Sequence, residues 1–245
     1  MGGPGGRDGR GRIEVGSWAM AGGRRQEAGP RPAAPRILAH LTNFDGAGLE
    51  PERDYDAVAF NGLDFAGQDG VRIRFSGCTF SGCGMDGTDL TRSSLRDVVA
   101  ERLRAVGVEL VGTGWLDVVV RDSLLAAPQL YEATIERVTF AGCKLDGPNF
   151  RDATLLDVRF EDCTLDEPDF GRASLRRVGF PGSRLVAADF TQASLDQVDL
   201  RGCELGIERG FGDLGGAVID RAQLVAIAPA LAAHLGLDVR DDDLA

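Results

Sequence analysis

Hydrophobic residues recur along this chain every five positions. From Phe60 the series runs Phe65, Gly70, Phe75, Phe80, Met85, Leu90, Leu95, Ala100, Ala105, Leu110, Trp115 and Val120. It continues without a slip to Leu205, and only Gly70 is not hydrophobic. Two residues before each of these centres sits a second ordered set. From Ala133 it reads Val138, Cys143, Pro148, Ala153, Val158, Cys163 and Pro168, all small, β-branched or proline. The other three positions of each five are mostly Asp, Arg, Gly, Ser and Thr. Neither the 3.6 period of a helix nor the 2.0 period of a strand produces this pattern. Five residues instead make one short side of a coil, an extended stretch followed by a corner. A large side chain fills the middle and a small one sits near the corner. Four such sides close a square coil of twenty residues.

The twenty-residue period is also visible directly. Val98, Val118, Val138, Val158, Val178 and Val198 form one column, and Cys143, Cys163, Ser183 and Cys203 another. Phe140, Phe160 and Phe180 line one side, and Leu145, Leu165, Leu185 and Leu205 the next. Stacking like on like is what a parallel solenoid requires, because each repeat touches only its neighbours. Thirty sides make seven and a half coils. At an inter-strand distance of about 4.8 Å they form a rod roughly 36 Å tall.

On these residues the chain resembles the pentapeptide-repeat family, whose repeat is a small residue, Asp or Asn, Leu or Phe, then two variable residues. Ala188, Asp189 and Phe190 match it, as do Pro168, Asp169 and Phe170 with proline at the small position. The resemblance implies an all-β fold: a right-handed quadrilateral parallel β-helix with a C-terminal α-helix. Gly70, Ala100 and Ala105 are undersized centres, and Gln68 and Leu103 are oversized at the small position, so the early coils are expected to be less regular.

Four segments follow. Residues 1–36 are rich in Gly, Arg and Pro and cannot bury enough apolar area to fold alone, which predicts a disordered tail. Met20 is an alternative start within it. Residues 37–57 mix apolar and turn residues and read as an N-terminal cap. Residues 58–207 are the repeat rod. Residues 208–245 form a C-terminal cap or dimerisation segment, with a helix over 218–235. Asp220 is its N-cap and Gly236 its stop. Leu224, Ile227, Leu231 and Leu235 fall near one face, and Pro229 predicts a kink or a break.

Charge and chemistry narrow the function. The net charge is −11. Residues 1–36 carry seven Arg against three acids, and residues 37–245 carry twenty Arg and Lys against thirty-five Asp and Glu. An acidic body repels nucleic acid and favours basic partners. No apolar run is long enough for a transmembrane helix, and the N-terminus has no secretory h-region. Five cysteines without C-x-x-C spacing point to a reducing cytoplasm. All five sit at the small inward position. A stacked pair such as Cys143 and Cys163 is close enough for redox or metal chemistry, but parallel side chains suit disulfides poorly. The alternative is that each thiol is a small buried hydrophobe. His40 and His234 both lie outside the repeats, so no His-centred triad or zinc site can form on the rod. No phosphate loop or nucleophile elbow is present. No catalytic residue, cofactor or metal site is expected.

One column stands out. Asp69, Asp89, Glu109, Gln129, Asn149, Asp169 and Asp189 stand just before the centres of one side, twenty residues apart. The five acids form a candidate binding edge, a ladder of carboxylates that could imitate duplex phosphates. Alternatively, each Asp or Asn bonds backbone groups at its corner, as such side chains do in turns. Arg72, Arg92 and Arg172 lie three residues on from Asp69, Asp89 and Asp169 and would partly neutralise the ladder.

The expected function is a non-enzymatic protein-binding scaffold with an unidentified protein partner, neither membrane-bound nor in direct contact with nucleic acid. The family resemblance implies an alternative, because some pentapeptide-repeat proteins are acidic rods that occupy the DNA site of DNA gyrase or topoisomerase IV and modulate quinolone sensitivity. It also implies that the C-terminal helix can pair two copies into a homodimer.

Overall fold

A computed structural model describes residues 32 and 34–240. Most of the predicted tail, including Met20, lies outside the described residues. The chain forms a quadrilateral parallel β-helix of about nine turns with one C-terminal helix. All strand pairs are parallel, and through the body of the rod residue i pairs with residue i+20, as in Leu145 with Leu165 and Leu155 with Leu175.

The corners explain the period of five. From Glu52 to Gly202 every fifth residue has a positive φ, thirty-one in succession, and twenty of them are not glycine. One left-handed residue turns the chain through each corner, and its amide leaves the turn pointing along the rod. The Arg72 amide donates to the Thr91 carbonyl and the Gly147 amide to the Asp166 carbonyl, both one coil on. A left-handed residue with a Cβ costs roughly 1–2 kcal/mol, so these repeated inter-coil bonds have strain to offset.

Inside, like stacks on like. Phe140, Phe160 and Phe180 lie face to face with ring centroids 5.0 Å apart, and Phe150, Phe170 and Phe190 at 5.1 and 5.3 Å. Polar residues at the small position serve the ladder rather than merely fitting it. The Ser183, Thr88 and Ser93 hydroxyls donate to the carbonyls of Phe160, Phe65 and Gly70, each twenty-three residues back. The thiols of Cys78, Cys83, Cys143 and Cys163 make the same contact.

The early irregularities have specific remedies, and the backbone stays regular through them. The side chains of Leu49, Ile73 and Leu90 crowd the space that a Cβ on Gly70 would enter. Gln68, too long for its slot, turns out to accept a 2.8 Å hydrogen bond from the Leu49 amide. Trp115 adds bulk beside Ala100 and Ala105, and its indole donates to Thr113 at 2.9 Å.

Parallel pairing runs past residues 58–207 at both ends. Asp54–Asp56 pairs with Arg74–Ser76 in the regular register. Thr42–Asn43 pairs with Val58–Ala59, so that coil spans only sixteen residues. Phe44 closes this end against Tyr55, Phe60 and Phe65. At the other end the register shifts after Leu185, and Ala188 pairs with Ile207. Gly210 and Gly216 permit the tightened path. Each has positive φ, and an added Cβ would lie 2.2 Å from the Phe190 carbonyl carbon and 2.0 Å from the Leu195 oxygen.

The C-terminal helix, α1, spans Arg221–His234. It starts later than residue 218 because Ala217–Val218 pairs with Val198–Asp199. Asp220 caps it through a reciprocal capping box with Gln223. Pro229 does not break it, since a proline removes a single helical donor and the turns on both sides persist. The apolar residues expected near one face of the helix differ in their surroundings. Ile227 is buried, but Leu224 and Leu235 are 50% and 69% exposed. Gln223 takes the inward place, where its amide donates to the Leu200 and Cys203 carbonyls at 2.6 and 2.8 Å. These carbonyls belong to the last regular coil, and the helix supplies the donors that a further coil would have brought.

Candidate interaction surface

The acidic column stacks as its spacing requires, bridge by bridge from Asp69 through Asp89, Glu109, Gln129, Asn149 and Asp169 to Asp189. Five of its seven side chains accept a backbone amide. Asp69, Asp89, Asn149, Asp169 and Asp189 each accept the amide two residues on, at 2.8–3.1 Å. This is the Asx turn that positions the next corner. Asn149 also donates to Gln129 at 2.9 Å. Burial alone would raise the pKa of Asp189. Hydrogen bonds from Thr191, with Arg209 alongside, outweigh that and hold it below the ordinary carboxylate range.

The neutralising arginines differ from those expected. Arg72 pairs with Glu52 and Arg172 with Asp152, in both cases one coil back rather than across the corner. Arg92 forms no ion pair among the described residues. Arg151 and Arg209 take the column instead, reaching Asp169 at 3.0 Å and Asp189 at 3.2 Å. Corner side chains project along the rod, so their natural partners are twenty residues away. Among the described residues, eight ion pairs have this step. Arg137 grips Asp117 with two bonds of 2.7 and 2.8 Å, and Arg177 grips Asp157 at 2.6 and 2.7 Å. Hydrogen bonds from these arginines are the main cause of the lowered pKa of Asp117 and Asp157. The surface is therefore a lattice of paired charge. In the column, Asp69, Asp89 and Glu109 carry charge without an ion-pair partner among the described residues.

A second surface was not singled out by the repeat pattern. Three stacked strands, Arg104–Val106, Leu124–Ala126 and Lys144–Asp146, form one side of the rod. Their outward residues make a block two wide and three high. Arg104, Leu124 and Lys144 form one column, and Val106, Ala126 and Asp146 the other. Leu124 and Val106 are 57% and 47% exposed, against a core packed to near zero exposure. The shallow groove over them holds about 240 Å³. A sequence test for it exists: Leu124 stands where the same side carries Arg104 and Lys144.

Chemistry for catalysis is sparse. All five cysteines are buried, and none is in a disulfide. Burial pushes the Cys203 thiol up to about 11 and raises Cys78 as well. His40 is exposed in the N-terminal segment, and His234 lies against Phe211. Among the described residues no cluster of three His, Cys, Asp or Glu could hold a metal ion, and no helix is long and apolar enough to cross a membrane.

Comparison with known proteins finds pentapeptide repeats in two stretches of the chain. A family model described as a pentapeptide repeat region matches residues 133–207, and one described as pentapeptide repeats, in eight copies, matches residues 60–97. No curated protein matches the chain in sequence. Among solved structures, the chain is similar to a trypsin-treated variant of QnrB1, a plasmid-mediated fluoroquinolone resistance protein. Identity there is 19% over 84% of this chain and 100% of that one, with a TM-score of 0.41. HetL, a pentapeptide repeat protein involved in heterocyst differentiation regulation in the cyanobacterium Nostoc sp. strain PCC 7120, is 18% identical. That match covers 69% of this chain and 90% of HetL, with a TM-score of 0.37. A pentapeptide repeat protein from the Arabidopsis thaliana thylakoid lumen is 21% identical over 55% of this chain and 69% of its own, with a TM-score of 0.16.

Proposed function

We propose that this chain, which belongs to the pentapeptide-repeat family, is a non-enzymatic scaffold that binds a protein partner on the side built by Arg104–Val106, Leu124–Ala126 and Lys144–Asp146. The observation that carries the reading is the exposure of Leu124 and Val106 in adjacent strands. The core takes its apolar residues inward at every side, so two large ones facing out need a reason. An apolar centre with a rim of Arg104, Lys144 and Asp146 has the make-up of a protein contact, apolar in the middle and polar at the edge. A repeat rod without a histidine supports binding over catalysis. Five thiols, none in a disulfide, fit a reducing cytoplasm. The exposed Leu224, Val225 and Leu235 fit pairing of two copies through α1.

The alternative reading, mimicry of DNA toward gyrase or topoisomerase IV, would rest on Asp69, Asp89 and Glu109, the unpaired stretch of the column. The two readings separate in one comparison. Cross-linked partners are captured with the intact protein, with a Val106→Ser, Leu124→Ser variant and with an Asp69→Asn, Asp89→Asn, Glu109→Gln variant. The scaffold reading expects the partner to be lost with the first variant and kept with the second. The reverse, together with inhibition of gyrase supercoiling by the intact protein, would favour mimicry and overturn the proposed face.

A further inference from the structure

A cavity of about 50 Å³ lies inside the rod between Phe80 and Trp115. Its origin is legible in the repeat. Ala100 and Ala105 occupy two successive centres of one coil, where other coils place Leu, Phe or residues of similar bulk. Leu103, at the small position between them, and Trp115, two sides after Ala105, return part of the missing volume. The remainder stays empty. Its walls are entirely apolar, and all of the wall residues are buried except Leu103, which is half-buried at a corner.

The composition of the wall decides what can enter. A cavity of this size has room for a water molecule, but a buried water needs two to four polar partners and finds none here. Apolar voids stay dry. The benchmark void that admits benzene or xenon is about 150 Å³, so a space one-third as large excludes rings and accepts single atoms or diatomics. Such an occupant recovers dispersion contacts that the wall atoms now lack. Leu103 is the one wall residue that solvent reaches, so its side chain is where an occupant would pass.

We propose that this cavity is an internal binding site for a small apolar gas, of the class of xenon or dioxygen, with Leu103 as its gate. The probe is xenon, applied under pressure to the folded full-length chain and followed by methyl NMR. Saturable shifts are expected, confined to the methyls of the wall, among them those of Ala100, Leu103, Ala105, Val118, Val120 and Leu125. Ala105→Leu restores a full-sized centre and should abolish them, and Ala100→Val does the same with less added bulk should the first variant misfold. Leu103→Ala opens the gate and should speed exchange of xenon between the free and bound states. Shifts that rise linearly with pressure, or saturable shifts that persist in a folded Ala105→Leu or Ala100→Val variant, would overturn the proposal.

Discussion

Replacing Gln223 with alanine should unravel one end of the rod and leave the rest intact. Its amide nitrogen donates to the Leu200 and Cys203 carbonyls, and its oxygen accepts the Asp220 amide at 2.9 Å. Each hydrogen bond contributes about 0.5–1.5 kcal/mol net, and buried groups left without a partner cost more. Three bonds therefore predict a loss of roughly 2–4 kcal/mol. In a solenoid, interactions run only between neighbouring repeats, so that loss falls on the last coil and α1. At about 1.4 kcal/mol per factor of ten, the Glu204 amide and the α1 amides should exchange hydrogen roughly 30- to 1000-fold faster. Amides of Thr134–Ala141, three coils away, should change by less than about threefold, because local opening there does not involve the end. Native-state hydrogen exchange reads both. Uniform acceleration along the rod would refute the nearest-neighbour argument, and unchanged protection at Glu204 would refute the capping role of Gln223.

Two further outcomes follow from corners and charge. Ala127 is an exposed corner with φ 48; Ala127→Gly removes about 1–2 kcal/mol of left-handed strain and gives back about 0.4–1 in chain entropy, so urea unfolding should show a gain of about 0.5–1 kcal/mol, and a loss would contradict the assigned strain. Asp117 and Asp157 are held below the ordinary range by Arg137 and Arg177. Their stabilising contribution is complete above the unfolded value of about 3.9 and disappears as pH falls through the lowered folded values. Stability measured against pH should be flat near neutrality and fall below about pH 4, with a shallower fall in Asp117→Asn, Asp157→Asn; identical acid profiles for the two proteins would refute the linkage.

Much of this architecture is legible in the sequence because the fold repeats itself. Large and small inward residues alternate on a period of five, so the coil, its columns and the stacked phenylalanines follow from spacing alone. What escaped the pattern depends on geometry between coils or at the ends. Arg72 was expected near Asp69 but reaches Glu52, because a left-handed corner aims its side chain along the rod. Gly70 read as a gap, yet Leu49 fills it from the N-terminal segment, a contact that no repeat predicts. The spacing of Leu224, Ile227, Leu231 and Leu235 marks a face of α1 but not what it meets, because the open end of a β-helix demands hydrogen-bond donors, and Gln223 supplies them. The acidic column stacks as its spacing requires, but charge alone does not distinguish a turn-forming carboxylate from a binding one.

These stacked carboxylates hold corners, and Asp89 isolates that role. It forms no ion pair among the described residues and accepts the Thr91 amide at 2.8 Å. Asn keeps that acceptor and removes the charge; Ala removes both. Equilibrium urea unfolding of Asp89→Asn and Asp89→Ala is the measurement. The account predicts Asn within about 0.5 kcal/mol of the parent and Ala lower by about 1 kcal/mol, the typical worth of such a bond. Equal losses in the two variants, or no loss in either, would contradict it.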